Sequence, residues 1–387
     1  MQQSANDILA LAYQRAADQP NQPAIVDPFL HEQIEAVARN LRNRSCVRFL
    51  LATTLAKAVR PEIDIRKPYT EIADPDAYSG RTFDETYIKS LIQAYDLPCN
   101  PTTAFLTPAF RNRNTILTPD LVMVGRPEQL YRTTLQIIDA VEQGIISAFN
   151  VLAETIRVLI RLRDEQRSQI DSLIASLEHV DTSIALSSEA IVKLVQQHLQ
   201  AAHSSRLPVL IVAAVYRTVE SRLGERTLPL SVHNAADEQT GSLGDLAISL
   251  LDDEQILTVY EMKTRPVATS DIDHALSKID TTRHRVDNYI FVTTAPIDDS
   301  VMNYAAGIYD RSGGIEVVVL DCIAFLRHFL HLFHRLRIQF LDTYQQLVLD
   351  EPSSGVEHPL KVALLALRQA AESSANREHF DASEESE

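Results

Sequence analysis

The pattern of apolar and polar positions divides the chain into a helical N-terminal part and a C-terminal part in which strands alternate with helices. Apolar residues recur at three- and four-residue spacing from about Ser4 to Val59, which predicts helices there. Prolines recur from Pro61 to Pro119 and exclude long elements, apart from a short helix that begins near Thr82 with Glu85 completing a capping box. This second region therefore predicts ordered loop.

The middle of the chain has a strong helical pattern. Residues 128–177 contain no proline and one glycine, so they predict one very long helix or two helices broken near Gly144. Two further helices are predicted at about 187–201 and at 207–223. The long apolar face favours a helical bundle or a dimer-forming coiled coil.

The hydrophobic period changes after residue 240. SLGDLAISLL (242–251) alternates, a polar turn follows, and ILTVYEMKTR (256–265) is a second strand, so the pair predicts a β-hairpin. Helices then alternate with two buried strands, DNYIFVTTA and GIEVVVLD, before a final long helix over 322–349. The order α-β-β-α-β-α-β-α predicts an α/β domain over 205–349. The polar, acidic residues from Glu372 onward predict disorder.

Composition excludes several classes of protein. The chain has 387 residues, of which 45% are hydrophobic and 23% are charged, which fits two or three globular domains. Its three cysteines lie far apart, which argues against a zinc ribbon or a disulfide-stapled fold and indicates a reducing cytoplasm. The N-terminus lacks the pattern of a signal peptide, and the apolar windows are too short to span a bilayer. We therefore expect a cytoplasmic protein with no membrane partner.

The net charge of −16 does not exclude nucleic acid, because phosphate contacts depend on where the cations lie. Residues 36–67 contain eight Lys and Arg against two acids, whereas residues 372–387 contain six acids and one Arg. The alternative interpretation of such a basic run is a solvated helix face.

The predicted hairpin carries Asp245 on its first strand, and Glu261 and Lys263 on its second. Carboxylate oxygens are the ligands that Mg²⁺ prefers. Phosphodiester cleavage also needs a cation near the attacking water and the scissile phosphate, and a nearby lysine supplies one. If the hairpin turns around Asp253, residue 245 falls opposite residue 261 and the three side chains share one face. A shift of one residue would move Asp245 to the other face. The alternative for each residue alone is a surface side chain at the end of a strand.

These segments resemble the PD-(D/E)xK nuclease superfamily, with Gly244 in place of the proline. More specifically, the chain is similar to SacI-like type II restriction endonucleases, through YSGRTFDETYI, LPCNPTTAFLTPAFRNR, the helical middle and the late Asp…Glu-x-Lys motif. This resemblance spans about residues 60–345. It implies an α/β nuclease core, a mixed sheet flanked by helices, with a large mainly helical N-terminal region.

The resemblance also implies a function and roles for single residues. The expected activity is Mg²⁺-dependent cleavage of double-stranded DNA at a specific sequence by a homodimer, with a cognate DNA methyltransferase in the same system. Asp245 and Glu261 would bind Mg²⁺. Lys263 would position or activate the attacking water and stabilise the negative charge of the transition state. Glu220, on the helix before the hairpin, resembles the extra active-site acid that many members of the superfamily carry on a helix. The alternative is that Glu220 is an exposed glutamate with no such role.

Several polar side chains are candidates for DNA contacts. Arg and Asn side chains read guanine and adenine edges in the major groove. The loop region 78–115 supplies such residues, and Arg265, directly after the motif, could touch the phosphate backbone or only cap its strand. A proline-ordered structural loop is the alternative for the region. The candidates for DNA binding are Arg81, Arg111, Asn112, Arg113 and Arg265.

We expect four segments: a DNA-recognition region over 1–125, a helical or dimerisation region over 126–204, a nuclease domain over 205–349, and a C-terminal helix with an acidic tail over 350–387. Two other functions stay open. One is a repair or methylation-dependent nuclease of the same superfamily, and the other is a catalytically inactive helical scaffold or DNA-binding protein.

Overall fold

A computed structural model describes residues 4–40, 43–72, 74–100, 115–122, 125–178, 185–230, 243–253, 255–281, 286–353 and 355–384. The chain forms two compact units, residues 1–168 and 169–387. The long middle helix, residues 148–178, crosses the boundary between these two units. Among the described residues, no helix has the length and apolar character that a membrane span requires.

The N-terminal unit is helical. Helices α1 and α2 begin at serine and aspartate caps whose side chains accept backbone N–H bonds, as helix N-termini require. Helix α3 is buried along nearly its whole length. The helices that begin in this unit are α1 (Ala5–Asp18), α2 (Pro28–Ala38), α3 (Ser45–Val59), α4 (Gly80–Phe83), a π-helical turn (Asp84–Ile88), α5 (Lys89–Tyr95), α6 (Glu128–Glu142) and α7 (Ala148–Glu178), and α7 continues past residue 168.

Two helix boundaries in this unit bear on the sequence analysis. The helical stretch predicted to begin at Thr82 begins instead at Gly80, because the Ser79 hydroxyl accepts the backbone N–H of Thr82 and caps the helix. The long helical stretch is two helices, α6 and α7, and Gly144 between them has φ +73°, a conformation that L-residues with a side chain seldom adopt. The second of the two predicted alternatives is therefore correct.

The C-terminal unit is built on one five-stranded sheet in the order β1-β2-β3-β4-β5. The first three strands are antiparallel, and β3, β4 and β5 are parallel, joined by helical crossovers. The strands are β1 (Glu225–Thr227), β2 (Leu246–Leu250), β3 (Ile256–Lys263), β4 (Asn288–Thr293) and β5 (Glu316–Asp321). The predicted mixed sheet is thus present.

Helices cover both faces of this sheet. One face, with Leu246, Ile248 and Tyr260, packs in a core with α8, α9, α13, α14 and α15, and the other face, with Val259 and Phe291, packs with α10 and α11. The helices are α8 (Ser188–Leu199), α9 (Leu207–Leu223), α10 (Thr269–Thr281), α11 (Asp299–Ala306), α12 (Ile308–Ser312), α13 (Cys322–Leu332), α14 (Arg337–Asp350) and α15 (His358–Glu384). This architecture is compatible with an α/β nuclease core.

The end of the chain differs from the sequence prediction in two places. The predicted single helix over 322–349 is two helices, α13 and α14, because the backbone leaves the α conformation at Phe333 and a 3₁₀ turn follows. Helix α15 continues to Glu384, where the sequence predicts disorder. Its last turns contain no proline or glycine, so nothing in their local sequence ends the helix.

Candidate active site

The pairing of β2 with β3 sets the positions of the candidate catalytic residues. Leu246 pairs with Tyr260, Ala247 with Val259 and Ile248 with Thr258, which is the register predicted from the sequence. Between Ile248 and Ser249 the register shifts, and Leu257 is the extra residue of a bulge. Ahead of β2, the backbone N–H of Asp245 donates to the carbonyl of Tyr260 at 2.9 Å. Asp245 therefore enters the sheet next to Glu261.

The three candidate side chains lie on one face of the sheet. Tyr260 packs on one side, so its neighbour Glu261 and, two residues on, Lys263 point to the opposite side, as strand alternation requires. Asp245 precedes Leu246 of the Tyr260 face, so alternation places it on the Glu261 side as well. The one-residue shift that would separate the acids is absent.

The Asp245 carboxylate is held by the backbone of β3. Its Oδ2 accepts the N–H of Met262 at 2.7 Å. Burial raises the pKa of Asp245 above its usual value, and the nearby charge of Glu261 raises it further. The hydrogen bond from the Met262 N–H and the positive charges of Lys263 and Arg206 lower the pKa of Asp245, but they do not cancel the rise. A buried carboxylate that lies beside a second carboxylate forms a place where a cation is stabilising.

Both oxygens of the Glu261 carboxylate have partners. The ammonium of Lys263 donates to Oε1 at 2.8 Å, and the hydroxyl of Tyr289 on β4 lies 3.1 Å from Oε2. The side chains of Lys263 and Glu261 are 21% and 15% exposed, so the pair is sheltered but open to solvent at one side. Sequence reasoning missed Tyr289, and no local motif marks it.

Gly244 allows the segment before β2 to lie close to β3. A Cβ at this position would lie 2.6 Å from Cγ1 of Val259 and 2.8 Å from the carbonyl oxygen of Tyr260. Both distances are below any ordinary contact, so a residue with a side chain would push the segment away from β3. Because Gly244 has no side chain, its segment can lie against β3, and Asp245 is placed next to Glu261.

The donor set fits a divalent cation that prefers oxygen. Asp245 and Glu261 contribute carboxylates, and the described residues contain no group of three or more His, Cys, Asp or Glu side chains arranged to hold a metal ion. Mg²⁺ usually binds through one or two carboxylates and completes its shell with water and substrate phosphate. Two carboxylates beside a lysine match this ion better than they match Zn²⁺.

The structure does not bring Glu220 to this pair. Glu220 lies in the last turn of α9, and the carbonyl of Gly224, just after the helix, accepts the N–H of Leu251 at 2.9 Å. Leu251 follows the end of β2 that is opposite to Asp245. Glu220 thus lies at the far end of the hairpin. The cation that sequence reasoning overlooked is Arg206, before the other end of α9, whose charge acts on Asp245.

The candidate DNA-binding residues have different environments. Both terminal nitrogens of Arg265 bind the carboxylate of Asp271, at 2.8 and 2.6 Å, so this arginine is held by its own unit. Arg81 is 70% exposed and binds Glu85 at 2.7 Å. Arg111, Asn112 and Arg113 lie outside the described residues.

Several cations of the basic segment 36–67 are paired within the N-terminal unit rather than free on its surface. Arg48 is fully buried, where it binds the carboxylate of Asp84 at 2.5 Å and the carbonyl of Asn100. The interpretation of this segment as exposed cations is wrong for the residues that pair within the N-terminal unit. These pairs join Arg39 to Glu35 and Glu165, Lys57 to Glu142, Arg66 to Asp64 and Asp139, and Lys67 to Asp74 and Asp76.

Comparison with known proteins gives one family. Residues 183–294 match the family model of the SacI restriction endonuclease C-terminal domain, and no curated protein matches the chain. The matched segment includes β2, β3 and β4, and hence Asp245, Glu261, Lys263 and Tyr289. Residues 183–294 are therefore similar to the SacI restriction endonuclease C-terminal domain, which confirms the predicted resemblance to SacI-like type II restriction endonucleases for this part of the chain.

Proposed function

We propose that the chain is a Mg²⁺-dependent site-specific deoxyribonuclease, a type II restriction endonuclease that hydrolyses phosphodiester bonds in double-stranded DNA. The observation that carries the proposal is the convergence of Asp245, Glu261 and Lys263 on one face of the hairpin, within the segment that matches the family. Fold alone would support only a nuclease-like scaffold, because one fold hosts many functions.

The chain's own groups have distinct tasks in this reaction. Asp245 and Glu261 would hold Mg²⁺, with the carbonyl of Met262 as a further oxygen. When bound, the ion acts as a Lewis acid on the phosphate and makes a bound water more acidic. Lys263 carries a positive charge two residues from Glu261, so its ammonium can donate hydrogen bonds to a phosphate oxygen or to the attacking water. Its present bond to Glu261 Oε1 keeps it in place beside the acids.

The test is digestion of a sequenced plasmid with Mg²⁺, followed by mapping of the ends. We expect ends at one fixed sequence for the wild type. Asp245→Asn and Glu261→Gln should each lower the cleavage rate about a hundredfold or more, since each removes a metal ligand worth several kcal/mol of transition-state stabilisation. Lys263→Ala should lose cleavage but still bind DNA in Ca²⁺.

The control is Asp253→Asn, which changes an exposed acid in the turn of the same hairpin, where its carboxylate accepts the N–H of Gln255. This variant should cleave like the wild type. Normal cleavage by any of the three site variants contradicts the assignment. Cleavage confined to methylated plasmid would favour the methylation-dependent alternative, and intact DNA under all conditions would favour the inactive scaffold.

The proposal extends to the partners of the enzyme. A two-fold homodimer would cut both strands of a palindromic or near-palindromic site, and a cognate DNA methyltransferase would protect that site in the host. The sequence basis for the dimer is the apolar face over 141–178, but residues of this face such as Val151 and Leu159 are buried in the core of a single chain, so a dimer would use another surface. Sedimentation of the protein, free and on DNA, decides the oligomeric state independently of catalysis.

A further inference from the structure

The hydroxyl of Tyr289 lies between the two segments that carry the candidate metal-binding acids. It is 3.1 Å from Oε2 of Glu261 and 3.0 Å from the carbonyl oxygen of Leu243, two residues before Asp245. Neither the carbonyl nor an ionised carboxylate can donate, so the phenol is the donor toward both. We infer that Tyr289 is a positioning residue that fixes the Glu261 carboxylate relative to the Asp245 segment. The inference rests on the proposed function.

The position of the phenol is itself firmly set. Tyr289 is 1% exposed and lies on the interior strand β4, which pairs with β3 on one side and with β5 on the other. Its ring packs against Phe291 with centroids 5.2 Å apart, and it belongs to the same core as Leu243 and Val259. A side chain so enclosed cannot follow a mobile carboxylate, so the carboxylate must take the position that the hydroxyl defines.

The hydroxyl has one proton for two acceptors. A charged acceptor forms the stronger bond, so the proton is directed to Glu261 while that carboxylate is ionised. Lys263 holds the other oxygen of Glu261 at 2.8 Å, and the carboxylate is then fixed at both ends. Groups that orient a metal ligand in this way make the site ready for the ion, and their loss typically costs about 10- to 100-fold in metal affinity or activity.

A purely structural role makes a different prediction. A buried tyrosine needs only one acceptor, and the Leu243 carbonyl would serve. If that bond were the whole role of Tyr289, removing the hydroxyl would lower stability and leave the response to metal unchanged. The two roles are therefore separated by the metal dependence, and stability alone does not separate them.

The experiment compares Tyr289→Phe with Tyr344→Phe in the full chain. Tyr344 is a suitable control because it is fully buried in the same unit and its hydroxyl binds His198 Nδ1 at 2.9 Å, in the core on the other face of the sheet. We measure the cleavage rate against Mg²⁺ concentration, and Mn²⁺ binding without DNA by calorimetry. Tyr289→Phe should raise the half-saturating metal concentration about 10- to 100-fold. Tyr344→Phe should lose comparable stability and keep the wild-type metal dependence.

The outcomes separate this inference from the proposed function. If the wild type cleaves no DNA, the proposed function fails, and the Mn²⁺ titration still decides the role of Tyr289. Unchanged Mn²⁺ binding and Mg²⁺ dependence in Tyr289→Phe overturn the inference, as does a wild type that binds no Mn²⁺.

If Tyr289→Phe does not fold, a second experiment tests whether Tyr289 positions the Glu261 carboxylate. A fluorinated tyrosine incorporated at position 289 keeps the hydroxyl and reports its environment by fluorine NMR. Its resonance should move when Mg²⁺ is added to the otherwise wild-type chain and should not move in Glu261→Gln. A resonance that ignores Mg²⁺ in the wild-type background overturns the inference.

Discussion

The imidazole of His198 is fully buried, and both of its nitrogens are hydrogen-bonded inside the C-terminal unit. Nε2 lies 2.9 Å from the carbonyl of Leu360, which can only accept, so Nε2 carries the proton and Nδ1 accepts from the Tyr344 hydroxyl. This neutral ring joins α8, α14 and α15. Burial lowers the pKa of His198 to about 4, and the bond to Leu360 offsets only part of the effect.

The lowered pKa makes stability depend on pH. A histidine in the unfolded chain titrates near pH 6.5. Between pH 6.5 and pH 4, His198 is therefore protonated in the unfolded chain and neutral in the folded chain. We expect the free energy of unfolding to fall in this window, by on the order of 3 kcal/mol when it has been crossed. Urea unfolding of the full chain at pH 7 and at pH 4.5 measures the fall.

A matched pair of variants assigns this loss to one residue. His198→Gln should be less stable at pH 7 but should lose much less stability on acidification. His331→Gln replaces a histidine that is 57% exposed and should show the wild-type fall. An undiminished fall in His198→Gln would mean that other groups cause the acid sensitivity.

At the scale of elements, the contact between β3 and the segment before β2 depends on Gly244. Gly244→Ala should reduce cleavage sharply, because its methyl group must displace either Val259 or the strand that carries Glu261. Forcing an extra methyl into such a contact typically costs about 1–3 kcal/mol of stability. The measurements are the cleavage rate and the melting temperature.

The control for this substitution is Gly307→Ala, which follows α11. A Cβ there would meet its nearest neighbour at 3.6 Å, an ordinary contact, and its backbone φ of −77° suits any residue. Gly307→Ala should therefore be active and stable. Full activity of Gly244→Ala would show that the strands can separate without harm to the site.

Local pattern was sufficient to predict many of these elements. The spacing of apolar residues predicted helix α9 over 207–223, as observed, and alternation predicted the hairpin and the register at the end that carries the candidate site. Both signals are carried by residues close together in the chain. The split of the last long helix at Phe333 was not predictable, because no proline or glycine marks it.

Contacts between residues that are far apart in the sequence could not be predicted from local pattern. The bond between Tyr289 and Glu261 joins residues 28 apart on different strands, and nothing near either residue signals it. Arg48 looked like part of a basic surface, yet it is buried against Asp84, 36 residues away. Periodicity shows which face of an element is apolar, but it does not show which polar groups find partners inside.

At the scale of the whole molecule, the negative charge is concentrated in one unit. Residues 1–168 contain 19 Lys and Arg against 20 Asp and Glu, a net charge of −1, whereas residues 169–387 contain 17 against 32, a net charge of −15. DNA phosphates are repelled by the second set and not by the first. We therefore expect the N-terminal unit to provide most of the affinity for DNA and the reading of its sequence.

This expectation is tested at Arg111 and Arg113. Replacement of either by Ala should cost about 1–3 kcal/mol of binding free energy if the arginine makes a bidentate base contact, and should relax specificity at one base pair. Binding is measured on the cognate site and on single-base variants of it. Arg132→Ala is the control, since this arginine of the same unit lies on α6 and binds Glu128. Wild-type affinity and specificity in both variants would place the reading surface elsewhere.

The bulge at Leu257 has a consequence for how the length of this hairpin can vary. It lies between the turn of the hairpin and the three regular pairs beside the acids. In a hairpin without such a step, adding or removing one turn residue would invert every side chain beyond it. Here a bulge already accommodates one unmatched residue, so a change of turn length can be absorbed before it reaches Asp245. We therefore expect the turn between β2 and β3 to tolerate the gain or loss of a residue better than the paired strands do, which makes it a suitable place to attach a label.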